Sequence, residues 1–414
     1  MIKSLQVKGV IFMFGLNSEE LFSKALQLEE PWYIEKVEFK NEELHMYIAF
    51  KKGFQFTNME KEKVTAYDTI EKVWRHLNFF QYKAYIHCNV PRIKNSKGIN
   101  MVEVPWSRAN SGFTMLFEMF VMELSKVMSV KAIARLVKEY DTRIWRILRY
   151  YVSKAREKVD YSEVSKIGID ETSVSGHHYI TVGVDLEKSR VMAITEGKEA
   201  ETVDRIAEEI EEHGCKKENI KVATSDMSPA FTKGIKKNFE NAMNVYDKFH
   251  VMKTINEALD KVRKREARKN EILKNSKYLF LKNRSKLKKE QEEKLDKLVE
   301  NEYLETSVVY KFKLQFQEIY GLMGKEEAQK RIEIWIKEAC ETKIKELRKL
   351  AKTIGTKMKN ILNYFENRVT NATLEGINSL IQLAKTRARG FKNIENFKTI
   401  IYLTSGKLDI GVSV

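Results

Sequence analysis

Cysteine is scarce in this chain of 414 residues. The three cysteines, Cys88, Cys215 and Cys340, lie far apart, so the sequence has no CxxC pair. That spacing argues against a disulfide framework and is compatible with a reducing cytoplasm. We expect each cysteine to be a small, buried apolar side chain.

Long apolar runs are also missing. No stretch reaches the about 18 apolar residues that a membrane-spanning helix needs. The N-terminal run VIFMFGL is short for a signal peptide and lacks a small-residue cleavage site. We therefore expect it to form a strand or helix of the mature protein, in the cytoplasm and without a membrane partner.

Basic residues outnumber acidic ones. Lys and Arg total 74 and Asp and Glu total 58, which gives a net charge of +16. A surplus of this size predicts a polyanionic partner, and nucleic acid is the commonest one. An anionic membrane surface would attract the same charge, so composition alone does not decide between them.

Only four prolines occur, and three of them lie within the first 106 residues. Segments such as VEFKNEELHMYIAF and YKAYIHCNV there have the partial alternation of strands. We predict a small β-rich domain over residues 1–106.

Residues 107–160 change to helical periodicity. An apolar helix is followed by one that Ser129 can cap and by a third that Asp141 can cap. Three short helices, the last carrying Arg143, Arg146 and Arg149, favour a helix-turn-helix that binds DNA. The alternative is an ordinary helical linker with solvated basic side chains.

Residues 161–255 alternate between strands and helices. The strand-like segments are KIGID, HHYITVGVDL, RVMAITEG, NIKVATSD and AMNVYDKFHV. One helix precedes the fourth strand and another precedes the fifth. This order of elements is expected of a ribonuclease-H-like domain in the α/β class, although a fold alone does not fix function.

Residues 256–365 are predicted to be an all-helical insertion. Between Lys261 and Lys289 there are thirteen Lys or Arg and two Glu, and Tyr278 and Phe280 interrupt the run. Basic residues with interleaved aromatics suit a nucleic-acid surface. A solvated charged helix face explains the same pattern. The candidate DNA-binding residues are Lys261, Arg263, Arg265 and Arg268.

Two aspartates are predicted at the ends of strands. Asp170 ends KIGID and Asp226 ends KVATSD. Carboxylates at strand ends of an open sheet point into the crevice where ligands bind. Such a pair could share Mg²⁺ ions, which prefer oxygen ligands. For either residue alone, a helix cap or turn is the simpler explanation.

The third carboxylate is predicted in the closing segment, residues 366–414. Leu374, Ile377, Ile381 and Ala384 define one apolar face of a helix, and Glu375 borders that face. Glu375 can therefore lean into a crevice while its helix is anchored, or it is simply a first-turn Glu that the helix dipole favours. Further along, Lys385, Arg387 and Arg389 are candidate DNA-binding residues.

Several motifs together resemble one family. IGIDETS, GHHYITVGVDL, SDMSPAF, YDKFHVMKTINEALDKVR and TLEGINSLIQLAKTRARGF are similar to the motif series of bacterial insertion-sequence transposases of the ISL3 group, in the DDE class. VWRHLNFF, VPRI, VPWSR and GFTMLFE match the group upstream. Each motif is weak alone, but the ordered set covers almost the whole chain.

The resemblance implies a ribonuclease-H-like catalytic domain with a helical insertion. It places the family's catalytic, metal-binding carboxylates on Asp170, Asp226 and Glu375, which would hold two Mg²⁺ or Mn²⁺ ions. Asp247 and His250 match family positions beside the active site, although His250 could equally be a hydrogen-bonded core histidine.

One segment departs from the family pattern. Members commonly carry a cysteine-based zinc ribbon near the N-terminus, where this chain has FKKGFQFTNME and VPRIKNSKGIN. Neither contains cysteine, and Cys88 alone cannot supply four ligands. We predict a degenerate, zinc-free ribbon, and its role in DNA binding is in doubt.

The implied activity is DNA strand cleavage followed by strand transfer. The implied partners are double-stranded DNA, as terminal inverted repeats and target, and further copies of the chain assembled on DNA at the bacterial nucleoid. Two other functions remain open: a ribonuclease-H-like nuclease that cuts without joining, and a catalytically silent DNA-binding protein derived from a transposase.

Overall fold

The computed structural model describes residues 17–96, 98–301, 303–368 and 372–411. The N-terminal run VIFMFGL lies outside these residues. The chain divides into two compact units, Met1–Ser153 with Ile410–Val414, and Lys154–Asp409. Within the described residues, no helix is long and apolar enough to cross a membrane.

The first unit begins with helix α1 (Ser18–Ala25) and a sheet. Its strands are β1 (Trp32–Lys40), β2 (Glu43–Phe50), β3 (Gln55–Thr57), β4 (Lys63–Thr65), β5 (Asp68–Phe79), β6 (Tyr82–Asn95) and β7 (Gly98–Met101). The main sheet has the order β1-β2-β6-β5, with β7 on β6, while β3 and β4 form a separate hairpin. Strands β2 and β6 run parallel, and the other pairs are antiparallel.

Aromatic packing holds the two segments where the family resemblance would place cysteine pairs. Phe56 on β3 contacts the rings of Trp32, Phe50 and Phe54. The backbone N–H of Ser96, in the second segment, donates to Glu60 in the first at 3.2 Å. Each buried aromatic ring removes a large apolar area from water. Apolar burial therefore stabilises the β3–β4 hairpin.

Three helices follow the sheet: α2 (Met115–Val127), α3 (Val130–Leu136) and α4 (Asp141–Arg156). The predicted cap is confirmed, because the Ser129 side chain accepts from the backbone N–H of Ala132. The sequence offers no glycine for the α3–α4 turn. In the structure Lys138 takes the left-handed conformation there, with φ of 54°. The turn thus forms at the modest cost of a non-glycine residue at positive φ.

The second unit is built on a mixed sheet. Its elements are β8 (Lys166–Ser175), β9 (His178–Asp185), β10 (Arg190–Glu196), α5 (Ala200–Glu212), β11 (Val222–Ser225), α6 (Pro229–Asn238) and β12 (Met243–Tyr246). The order is β10-β9-β8-β11-β12. Strands β8, β11 and β12 run parallel, and β9 is antiparallel to β8 and β10.

Two predicted strand ends are wrong. Strand β8 does not end at Asp170 but continues to Ser175, because β9 pairs with it as far as that residue. The strand predicted over AMNVYDKFHV ends at Tyr246. Asp247 caps a helix instead, so His250 lies in that helix's first turn.

Helices make up the remainder. They are α7 (Lys248–Glu266), α8 (Lys277–Leu281), α9 (Lys289–Val299), α10 (Glu305–Ile319), α11 (Lys325–Glu341), α12 (Lys345–Asn367), α13 (Ala372–Ala388) and α14 (Ile394–Ser405). Helices α7 to α12 share one hydrophobic core. Phe280 belongs to that core and is fully buried against Tyr310. Its ring is therefore not available to stack on a base.

Helix α13 lies directly against strand β8. A Cβ atom at Gly168 would come within 2.8 Å of a Leu374 methyl group and within 2.8 Å of a Leu186 methyl group. Real Cβ atoms do not come this close to a neighbouring side chain. Helix α13 can therefore pack at this distance only because residue 168 is glycine.

Polar contacts continue the packing along the same strand. Four residues of a helix advance about 6 Å, which nearly matches the rise of two strand residues. Asn378 and Gln382, about one turn apart on α13, therefore meet two alternate residues of β8, and Lys385 reaches the next backbone carbonyl. The contacts are Asn378 to the Asp170 carboxylate (2.5 Å), Gln382 to the Thr172 hydroxyl (2.9 Å) and Lys385 to the Ser173 carbonyl (2.7 Å).

A buried lysine fixes the short helix α8. The Lys313 ammonium on α10 donates to the carbonyl oxygens of Phe280 (2.7 Å) and Leu281 (3.2 Å) at the end of α8. Its side chain is 1% exposed. Burial lowers the pKa of Lys313 from 10.5 to about 8 because the charged form loses its hydration.

We predict that Gly168→Ala lowers the free energy of unfolding by about 1–3 kcal/mol, because the added methyl group overpacks the β8–α13 contact. Gly376→Ala is the matched control, since position 376 lies on α13 and faces open space. Alanine there should raise stability by up to about 1 kcal/mol. Denaturant unfolding measures both, and an unchanged stability for Gly168→Ala would contradict the packing argument.

We also predict a pH dependence that Lys313 causes. Between about pH 8 and 10.5 the unfolded chain holds a proton that folded Lys313 has released, so wild-type stability rises with pH across this window. Lys313→Met lacks that rise. The stability of wild type relative to the variant should increase by about 2 kcal/mol between about pH 7 and pH 10. A pH-independent difference would show that Lys313 is not neutralised in the fold.

Candidate active site

Three aspartates on or next to neighbouring strands of the second sheet lie level with one another. The parallel register pairs Thr224 with Gly168, which puts Asp226 level with Asp170 two residues later. The register of β11 and β12 pairs Ser225 with Tyr246, which puts Asp226 level with Asp247. Asp226 and Asp247 directly follow the carboxyl ends of β11 and β12, and Asp170 lies beside them within β8. The carboxyl ends of parallel strands are where open α/β sheets bind ligands.

Two of these aspartates also bind backbone N–H groups beside helix starts. An Asp226 oxygen accepts from the backbone N–H of Ser228 at 2.8 Å, next to the start of α6. An Asp247 oxygen accepts from the backbone N–H of Phe249 at 2.9 Å, at the start of α7. The simple explanation of a strand-end aspartate thus holds here, since Asp247 caps a helix and Asp226 stabilises a turn. These bonds fix both carboxylates at the ends of their strands.

Asp170 lies in a more enclosed position. Burial raises the pKa of its carboxyl group above the ordinary value, and the nearby charge of Asp226 contributes in the same direction. The Asn378 amide and the approach of His250 oppose that shift. Two close carboxylates in a partly desolvated crevice favour a bound cation.

His250 lies beside the aspartates of this crevice. Its Nδ1 atom lies 2.9 Å from an Asp247 oxygen. Burial by itself would lower the pKa of His250, but this hydrogen bond and the charges of Asp170, Asp247 and Asp226 raise it. His250 therefore contacts Asp247 and neighbours Asp170 and Asp226 electrostatically.

Glu375 lies apart from the aspartates. It is exposed on the first turn of α13 and lines a groove that Asp247 also lines. Among the described residues, no three His, Cys, Asp or Glu side chains are close enough to hold one metal ion. The structure brings Asp170, Asp226, Asp247 and His250 together, and Glu375 faces the adjoining groove.

The donor chemistry fits a hard divalent cation. Carboxylate oxygens are the ligands that Mg²⁺ and Mn²⁺ prefer. The charge of Asp226 is near enough to raise the pKa of Asp170. The charges of both aspartates raise the pKa of the neighbouring Glu171. Asp226 uses one oxygen for the backbone N–H of Ser228. Asp247 uses one oxygen for the backbone N–H of Phe249 and the other for His250.

Two residues beside the site were not predicted from the sequence. Lys357 on α12 donates to the carbonyl oxygen of Met227, and burial lowers its pKa although the charge of Asp226 opposes this. Glu171 is half-buried, and burial followed by the charge of Asp226 raises its pKa. Glu171 adjoins Asp170 in sequence and could have been noticed, whereas nothing distinguishes Lys357 from the other lysines of its helix.

Several candidate DNA-binding arginines form ion pairs with carboxylates of the chain. Arg263 is buried and paired with Asp260 at 2.6 Å, and Arg265 pairs with Glu305 and Glu346. Arg143 pairs with Glu139 and lies 4.2 Å from the centre of the Phe113 ring. In this structure the guanidinium groups of these three are paired with carboxylates of the chain itself. Contact of Arg143, Arg263 and Arg265 with DNA stays a prediction.

The other basic candidates differ in their surroundings. Lys385 is held by the Ser173 carbonyl. Five are exposed side chains: Arg146, Arg149, Lys261, Arg268 and Arg387. Arg149 and Arg387 each have a further contact of their own. Arg389 is also exposed and takes a left-handed conformation just after α13 ends.

Comparison with known proteins agrees with this organisation. A family model described as a transposase, of the ISL3 group and DDE class, matches residues 167–401. A second model, the helix-turn-helix domain of transposase family ISL3, matches residues 102–152. The prediction that α2 to α4 form a helix-turn-helix is therefore confirmed, and such a domain implies DNA binding.

A curated relative leads to the same group. The chain is 26% identical over 343 residues to the transposase for insertion sequence element IS1001 of Bordetella parapertussis, which covers 80% of this chain and 83% of that protein. The first model alone spans more than half of the chain, from strand β8 to helix α14. The chain belongs to the ISL3 family of transposases.

Proposed function

We propose that this transposase cleaves DNA at the ends of an insertion sequence and joins the freed ends to target DNA, using Asp170, Asp226 and Glu375. One observation carries the proposal: Asp170 and Asp226 lie level on neighbouring parallel strands, and the helix that bears Glu375 packs directly on the first of them.

The proposed catalytic fold is ribonuclease-H-like. Its support is the order of elements: three antiparallel-paired strands are followed by helix, strand, helix and strand. The fourth strand lies parallel beside the first, and the fifth lies parallel beside the fourth. Helices α7 to α12 then form the proposed insertion before the closing helix. The proposed domain limits are 1–106, 107–160, 161–255, 256–365 and 366–414.

Asp170, Asp226 and Glu375 are the proposed ligands of two Mg²⁺ or Mn²⁺ ions. Such a pair of ions activates the attacking oxygen and stabilises the leaving oxygen in phosphoryl transfer. Glu375 precedes Asn378 by three residues, and side chains at that spacing neighbour each other on a helix. Since Asn378 already contacts Asp170, Glu375 is one turn away along the crevice.

Other residues of the chain position these groups. Asp247 fixes His250, whose charge balances the aspartates. Lys357 holds the Met227 carbonyl, next to Asp226 in sequence. The helix-turn-helix is proposed to bind the terminal inverted repeats, and bringing two ends together requires more than one copy of the chain on DNA.

A catalytically silent DNA-binding role is the second candidate. The observation that favours it is the sequence of Phe50–Glu60 and Val90–Asn100, which keeps the hairpins but has no cysteine. Such a protein would bind terminal repeats without cutting them. A nuclease that cuts without joining is distinguished by strand transfer from pre-cleaved ends.

We predict that Asp170→Ala, Asp226→Ala and Glu375→Ala each reduce Mg²⁺-dependent strand cleavage by about 1000-fold or more, because each loses several kcal/mol of charge stabilisation. Glu338→Ala, at an exposed position on α11, is the control and should cleave as wild type does. Binding of DNA should persist in all four variants. Cleavage at wild-type rate by any of the first three would refute its assignment.

A further inference from the structure

A basic groove adjoins the candidate active site. It has a volume of about 970 Å³ and includes Asp247 and Glu375 in its lining. Helix α7 contributes residues from Lys248 to Lys264, a length of about 25 Å at the helical rise. Helix α8 and the turn after it contribute another part of the wall. The groove thus connects the proposed carboxylates with the most basic segment of the chain.

The charge of this groove is not neutralised within the protein. Lys261, Lys277, Lys282 and Lys286 line it, and none of them forms an ion pair with another described residue. Of the acids in the lining, Asp260 is already paired with Arg263 and Lys264. Glu257 is exposed, and Asp247 and Glu375 belong to the candidate site. Unpaired lysines along a cleft attract a polyanion.

An exposed aromatic ring lines the groove beside the acids. Phe249 is 55% exposed although its neighbour Val251 is fully buried. Its backbone N–H is held by Asp247, and its ring meets that of His250 edge-on. A fixed apolar ring in solvent, within two residues of the candidate site, has the properties of a stacking platform for a base.

We propose that this groove binds a few nucleotides of single-stranded DNA next to the scissile phosphate, with the lysines on its phosphates and Phe249 against a base. The inference rests on the proposed function and names the form of DNA that the site takes. A cleft of this volume accommodates a ligand of drug size. Stacking on Phe249 needs a base with a free face, which a single strand offers and the interior of a duplex does not.

The test measures DNA binding by the full chain in EDTA, so that no strand is cut. The probes are a fluorescent duplex with a single-stranded extension of about ten nucleotides and the matching blunt duplex, each titrated over a range of salt concentrations. The variant is Lys261→Gln/Lys282→Gln/Lys286→Gln. The control is Lys330→Gln/Lys337→Gln/Lys343→Gln, which removes the same charge from exposed positions outside the groove lining.

We expect the groove variant to lower the slope of log affinity against log salt by about 2 for the extended probe, at about 0.7 for each phosphate that the protein no longer neutralises. The control variant and the blunt duplex should show no such change. Phe249→Ala should weaken binding of the extended probe about tenfold without changing the slope, because the ring no longer stacks on a base and no charge is removed. Phe249→Trp should restore the affinity.

Equal losses of affinity for the extended and blunt probes would overturn the single-strand assignment, and so would a groove variant that binds like the control. Failure of the proposed function gives a different result. In that case the groove variant shows the expected loss of affinity, but wild-type protein with Mg²⁺ cleaves no DNA. If wild type cleaves while the groove variant binds as the control does, the groove proposal alone fails.

Discussion

The close packing of helix α13 on strand β8 is the contact on which the candidate site depends. Gly168 leaves room for Leu374, and the hydrogen bonds from Asn378, Gln382 and Lys385 continue along the strand. This contact joins segments about 200 residues apart in sequence. It holds α13, with Glu375 on its first turn, against the sheet that carries Asp170.

Most of the acids in the crevice have a structural role as well as a proposed chemical one. Asp226 and Asp247 bind backbone N–H groups near helix starts, and Asp170 accepts the Asn378 amide. His250 and Lys357 bring positive charge close to the same aspartates. Carboxylates held in this way lose little freedom when a metal ion binds. Before it binds, the neighbouring basic side chains limit the repulsion between the carboxylates. Preorganisation of this kind is what a phosphoryl-transfer site needs.

Sequence patterns predicted the local features well and the long-range ones poorly. The strands around Asp226 and the cap at Ser129 follow from neighbouring residues, so they could be predicted. The length of β8 could not, because β9 pairing extends it beyond Asp170. The roles of Arg263 and Arg265 also depended on folding. The first is buried beside Asp260, and the second finds Glu305 and Glu346 some 40 and 81 residues away. Family resemblance, rather than periodicity, was what singled out Glu375.

The central claim is that Glu375 shares cations with Asp170 and Asp226. Electron paramagnetic resonance of Mn²⁺ titrated into the full chain tests it directly, because the spectrum counts bound ions and reports coupling between close ones. We expect two coupled Mn²⁺ ions in wild type. The coupling should be abolished in Glu375→Gln and in Asp226→Asn, and it should be retained in the control Glu338→Gln. A Glu375→Gln protein that binds Mn²⁺ with the wild-type stoichiometry and coupling would contradict it.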